Sequence, residues 1–255
     1  MLTESEKFRQ EFKSILEGIW VKSAYIADVI KTKSPYQSRK ELLGVASMDI
    51  VLSKGDRDSS RIGFSLNNHE GSEFTLYFSL GRKSTCLKTN LPDYDDKANF
   101  YEIGYDIQES DTSLMLYHYS KDNRVIESIK YTKVANAAVN PDDAAWGIEY
   151  IINKKLISGS YTTTDSTGNR LKIKFNNKGE VSGFLDFRKY YINTDFIAGP
   201  ANNVDQIYLE TDSKFQKMYN YKFIEDTLNL YETKHNSDST LLVIGKLKYK
   251  LVRQK

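Results

Sequence analysis

Two hydrophobic periods alternate along the chain. Phe8, Phe12, Ile15, Leu16 and Ile19 recur at helical spacing, which predicts an amphipathic helix over residues 4–17. Thr3-Glu-Ser-Glu6 ahead of it is a capping box, and Gly18 behind it is a stop. Ile19-Trp-Val-Lys22 then reads as a short strand. Tyr25, Ile26, Val29 and Ile30 fit one helical face, so residues 23–32 read as a second short helix, ended before Pro35. From Val45 the period becomes two. Val45–Ser53, Ser60–Leu66, Glu73–Gly81, Ser84–Thr89 and Phe100–Ile107 alternate apolar and polar between turn clusters such as Lys54-Gly-Asp-Arg-Asp58 and Asn67-Asn-His-Glu-Gly71.

The same order then begins again. Asn140-Pro141 signals a helix start, and Ala145, Ile148, Ile151, Ile152 and Leu156 place one apolar side on residues 142–156. Gly159-Ser-Tyr161 follows this helix as Gly18-Ile-Trp20 follows the first. Strands are expected at Arg170–Phe175, Glu180–Asp186, Lys189–Asn193, Asp205–Thr211 and Lys214–Glu225. Each half closes on one grammar: Tyr105–Tyr117 with Ile129–Val134, and Tyr221–Tyr231 with Leu241–Val252 around the polar turn Lys234–Ser239. In the last strand Leu247, Tyr249 and Leu251 should be buried between solvated lysines. Two copies of one closing pattern imply two copies of one β unit, and 255 residues suffice for two domains. The expected fold is all-β: two tandem antiparallel up-and-down β-barrels, residues 1–136 and 141–255, each preceded by a short α-helix and joined by a linker at 135–143. A barrel is preferred to a sandwich because closure removes exposed strand edges.

Composition narrows the function classes. The net charge of +2 comes from scattered lysines and acids without a basic block, which argues against nucleic-acid binding. A single cysteine, Cys86, excludes an intrachain disulfide and a cysteine metal cluster. No apolar run has the length of a membrane span, so no transmembrane segment is expected. Met-Leu-Thr-Glu-Ser-Glu-Lys is not a secretory signal. The protein is therefore expected in the cytoplasm, or in an extracytoplasmic place (periplasmic or surface-attached) if a leader was removed.

No nucleophile elbow, phosphate loop or zinc-binding His-Glu-x-x-His is present, and the expectation is a non-enzyme without cofactor or metal. Asp93-Tyr-Asp95-Asp96 has the look of a calcium loop, but Ala98 stands where that loop needs glycine. Glu225-Asp226 would leave a strand on opposite faces, a poor acid/base pair. His118 shares a strand face with Leu114 and Leu116, which aims it into a barrel or onto its rim. Tyr77, Tyr101, Tyr105, Tyr117, Tyr190, Tyr191 and Tyr221 either line a cavity with polar handles or pack as ordinary strand residues.

A helix, then Gly18-Ile-Trp20 on the first strand, then a late Asp111-Thr-Ser-Leu-Met-Leu116 strand resembles the lipocalin-like domains of exported Bacteroidetes proteins, within the calycin superfamily. Gly159-Ser-Tyr161 and Asp226-Thr-Leu-Asn-Leu230 repeat the pattern, with Tyr161 where that family has Trp. In such barrels a basic residue of the last strand packs over the first-strand Trp, and Lys133 and Arg253 are the counterparts. The resemblance implies a non-enzymatic protein holding a small apolar or amphipathic ligand, a lipid included, in a barrel. The candidate ligand-binding residues are Tyr25, Ile26, Val29, Tyr77, Tyr105 and His118, with Trp20 and Tyr161 structural. If either barrel is hollow, the expected one is the first, with residues 23–44 lying over its mouth, or else plugging it or packing on its outside; Phe175, Phe184, Tyr191 and Phe223 would fill the second. The alternative is a module with filled barrels that meets a protein partner in the cell envelope through loops 90–99 and 194–204.

Overall fold

The computed structural model describes residues 2–52, 56–109, 111–137, 143, 145–165, 167–197, 200–211 and 213–254. The expected Asn140-Pro141 helix start, most of the linker and the first two residues of the Lys54–Asp58 turn lie outside the described residues. The chain forms two units, Met1–Tyr25 with Glu41–Gly147, and Ile26–Lys40 with Ile148–Lys255.

The first unit opens with helix α1, Glu4–Leu16, whose capping box is present: the Glu6 amide donates to the Thr3 hydroxyl and the Thr3 amide to the Glu6 carboxylate at 2.7 Å. Strands β1 (Gly18–Lys22), β2 (Val45–Ile50), β3 (Ser59–Leu66), β4 (Glu70–Leu80), β5 (Cys86–Pro92), β6 (Phe100–Gln108), β7 (Asp111–Tyr119) and β8 (Val125–Ala135) follow. They pair antiparallel in chain order and close as a barrel. Closure runs through Trp20↔Lys133, Val21↔Thr132 and Lys22↔Tyr131.

Alternation on these strands sends Ile62, Phe64, Phe74, Leu76, Phe78, Leu114 and Leu116 inward, where they join one contiguous buried cluster with Met48, Ile103 and Tyr131. Helix α1 adds Phe12 and Leu16 to that cluster, and β1 adds Trp20. The expectation of a hollow first barrel is therefore corrected. The helix and the large aromatics of β3 and β4 occupy the interior. The Tyr131 hydroxyl, deep inside, donates to the Val45 carbonyl at 2.7 Å.

In the second unit, α4 (Trp146–Ile152) runs on as a π-helical turn, Asn153–Ile157, into β9 (Gly159–Thr164). The remaining strands are β10 (Arg170–Phe175), β11 (Val181–Ser182), β12 (Tyr190–Ile192), β13 (Gln206–Leu209), β14 (Lys217–Ile224), β15 (Thr227–His235) and β16 (Leu242–Arg253). They form a sheet in the order β11-β10-β9-β16-β15-β14-β13-β12. Its two end strands touch at a single bridge, Glu180↔Lys189, with Val181 N–H donating to Arg188 O at 2.8 Å and Tyr190 N–H to Gly179 O at 2.7 Å. No longer ladder joins these ends among the described residues, since β11 and β12 are too short to build one. Edge-to-face contacts run through the inner face: Phe175 meets Tyr161 at 5.6 Å and Tyr190 at 5.1 Å, and Phe184 meets Tyr249 at 5.0 Å.

Three local expectations change. Glu225 has φ 52° and, with Asp226, forms the turn between β14 and β15, so the two carboxylates are not strand neighbours. Glu109, φ 55°, turns β6 into β7 in the same way. Leu247 is 49% exposed: β16 carries an extra residue between Tyr249 and Leu247 opposite the Leu230–Tyr231 step of β15, which breaks its alternation.

Residues 26–40 belong to the second unit. Helix α2 (Ser23–Thr32) carries the chain there, followed by α3 (Pro35–Ser38). The Ser34 hydroxyl donates to the Asp205 carboxylate, and the Tyr36 amide donates to the same group at 2.8 Å. The Tyr36 ring meets Phe196 edge-on at 5.4 Å. Burial pushes the Asp205 carboxyl up to about 6, although these two donors and Lys222 oppose the rise.

Candidate functional site

Both strands after the helices begin with glycine for a local reason. Gly18 has φ 136° and Gly159 φ 153°, a region side chains avoid. A Cβ on Gly18 would also collide with the Lys133 stem and lie 2.8 Å from the Ala135 carbonyl. Two residues on, the aromatic turns back to its own helix end: Trp20 Nε1 donates to Leu16 O at 2.7 Å, and the Tyr161 hydroxyl to Ile157 O at 2.6 Å. The Lys133 ammonium lies 5.7 Å from the Trp20 ring centre. Trp20 and Tyr161 are both 1% exposed.

The six candidate ligand contacts do not converge. Tyr105 packs edge-on against Phe12 at 5.6 Å, at the α1 end of the first barrel. Tyr77 points out of β4 between the inward Leu76 and Phe78 and is 40% exposed. Tyr25 is buried and belongs to the first unit, whereas Ile26 and Val29 belong to the second. Only His118 stands at a polar constellation, and it does so on the inward face of β7, at the barrel end away from α1.

That constellation is built by a loop and two strands. After Pro92 the chain folds on Asp93, whose Oδ1 accepts from the amides of Asp95 at 2.8 Å and Asp96 at 3.2 Å. Its Oδ2 accepts from Asn99 Nδ2 at 2.8 Å and lies 2.8 Å from His118 Nε2. Asn99 foremost, then these amides and His118, hold the carboxyl down at about 2 against the opposing effect of burial. The group is thus a carboxylate that can only accept, so His118 carries its proton on Nε2 in this pair. The imidazole stacks on Tyr101, its direct cross-strand neighbour, at 4.3 Å between ring centres. Burial, and then the negative charge of Asp93, push the Tyr101 phenol up to about 12.

Chemically this is a stacked, oriented imidazole that fastens the 93–99 loop to the barrel. Among the described residues no three His, Cys, Asp or Glu side chains are grouped to hold a metal ion. Cys86 is buried and its thiol is pushed up by that burial, which removes nucleophilic character. The sequence pointed to His118, to Tyr101 as a possible cavity residue and to Asp93 in an acidic loop, but not to Asn99 or to the contacts that join them. The Asp-x-Asp turn directly after Pro92 was the signal, legible as a side-chain-capped turn rather than a cation loop.

In the second unit, Phe175 and Phe184 are buried as expected, while Phe223 is half-buried. Tyr191 faces outward instead of filling the interior. It pairs with Tyr208 across β12 and β13 and, with Asn193, Thr211 and Gln216, lines an open cleft of about 370 Å3. Among the described residues no helix is long and apolar enough to cross a membrane. No protein-family model, curated protein or solved structure matches the chain.

Proposed function

We propose that the chain is a non-enzymatic binding protein made of two lipocalin-like units, and that its partner is a protein of the cell envelope met by surface loops. The observation that carries this reading is the filled interior of the first barrel, where Trp20, Phe64, Phe74, Phe78 and Tyr131 are each at most 3% exposed. An apolar ligand in that barrel would have to displace side chains packed at interior density. The loop end is the other candidate surface, and there Asp93, Asn99 and His118 hold residues 93–99 in one conformation. A preformed loop binds with less ordering entropy than a loose one. The lipocalin-like assignment is supported by the Gly-x-aromatic strand starts and by a basic last-strand residue over each aromatic.

Native mass spectrometry of freshly purified protein, with titration of a solvatochromic apolar dye, tests the choice. The expected result is a clean apo mass and no saturable dye binding. A co-purifying lipid-sized mass, or saturable dye binding, would restore the apolar-ligand reading and overturn this one.

A further inference from the structure

The second sheet has a split in it. Strand β16 is 12 residues long and pairs along one edge with β15 from Leu242 to Val252. Among the described residues its other edge pairs with β9 at Val252↔Thr162 and Arg253↔Tyr161, beside the bond from Gln254 N–H to Ser160 O at 2.8 Å. β9 ends at Thr164, and a groove of about 560 Å3 opens beside the part of β16 that runs on past it. Its lining is Thr162, Thr163 and Thr164 of β9, Arg170 of β10, and Leu247, Lys248, Lys250 and Val252 of β16, with Gln254 behind.

Every charged residue of this lining is a cation. Glu232 and Asp165 hold partners of their own. Glu232 takes Lys248 at 2.7 Å, and the Asp165 carboxylate accepts from the Thr167 hydroxyl at 2.7 Å and the Asn169 amide at 2.8 Å. Lys250 is exposed, and Leu247 offers an apolar side chain at 49% exposure. An unpaired strand edge is a template for another strand. Lysines flanking it repel a basic or identical edge and attract an acidic one.

We propose that the free edge of β16 is a docking site for an extended acidic segment of a partner protein, which adds as a strand in the groove between β16 and β9. The partner's backbone pairs with β16 over the stretch that precedes Lys250. Its acidic side chains share the face of Arg170 and Lys250, and the alternate apolar ones share the opposite face, that of Tyr249. This surface is separate from the 93–99 loop, so the proposal stands or falls independently of the role given to that loop.

Fluorescence anisotropy on the full chain tests it with three labelled hexapeptides: acetyl-(Val-Glu)3-amide, its (Val-Lys)3 counterpart, and the glutamate peptide N-methylated at alternate residues. The glutamate peptide should bind saturably and the lysine peptide should not. N-methylation keeps the charge but deletes the backbone donors of one edge, so it should weaken binding by about tenfold or more. Arg170→Glu with Lys250→Glu should reverse the charge preference. Equal binding of the methylated peptide would reduce the effect to charge attraction and overturn strand addition. Absence of binding, or self-association of the chain abolished by the same double substitution, would overturn it as well.

Discussion

The guanidinium of Arg253 lies over the ring of Tyr161, its central carbon 5.0 Å from the ring centre, and its Nη2 donates to the phenolic oxygen at 2.5 Å. The same side chain donates to the carbonyls of Leu156 at 2.5 Å and Ser158 at 3.1 Å. One residue of the last strand thus ties together the end of the π-helical turn, the start of β9 and the close of the sheet. Lys133 holds the matching place over Trp20 but, with a point charge, lacks the planar fork that lets Arg253 serve several acceptors.

Arg253→Lys keeps the charge and loses the fork. It should destabilise the second unit by about 1.5–3 kcal/mol, the range for hydrogen bonds to charged groups. Lys133→Arg in the first unit should be close to neutral. Urea unfolding of the full chain, followed by hydrogen exchange to separate the units, reads both; a silent Arg253→Lys would make the fork incidental.

Trp20→Ala removes the largest side chain of the first core together with its bond to Leu16. The loss should be about 3–5 kcal/mol, as for other buried aromatics. Denaturant midpoints of the full chain measure it. A change under about 1 kcal/mol would mean that the helix end and barrel repack around the gap.

Asp205 should make the second unit less stable as pH rises through mildly acidic values. Its carboxyl titrates at about 6 in the fold, against about 3.9 in an unfolded chain. The folded state therefore binds more protons between those values, and stability falls with rising pH across that window. Above it the full cost of the buried charge remains. Asp205→Asn should flatten the decline, visible as a pH-independent protection factor of the Tyr36 amide between about pH 4 and pH 6, after correction for the intrinsic pH dependence of exchange. An unchanged slope in the variant would assign the decline to another group.

Asp93 has the opposite sign. Its carboxyl is held at about 2, below the unfolded value of about 3.9. Its contribution is present above the unfolded value and is lost as pH falls toward 2. Asp93→Ala should release the amides of Asp95 and Asp96 at neutral pH and raise their exchange rates. Protection equal to the wild type would show that the loop is held by other contacts.

Much of the architecture was legible in the residue order because it is set locally. The capping box before α1, the glycines at 18 and 159, the aromatic two residues beyond each, and the alternation of Leu114 with Leu116 and of Leu228 with Leu230 each act within a few positions of the backbone. Period two names a strand whatever it later packs against. The tertiary structure alone decided three other matters. The apolar face of α2 states that it will be buried but not against what; Ser34 and Asp205, 171 positions apart, answer that for the residues that follow. Alternation gives the inward side chains of the first barrel but not whether their volumes close the interior, which depends on Phe12 and Leu16 arriving from the helix. The extra residue of β16 opposite the Leu230–Tyr231 step exposes Leu247, and the end of β9 at Thr164 leaves the groove open beside it. Both depend on how neighbouring strands meet, and the order of residues in one strand does not contain that.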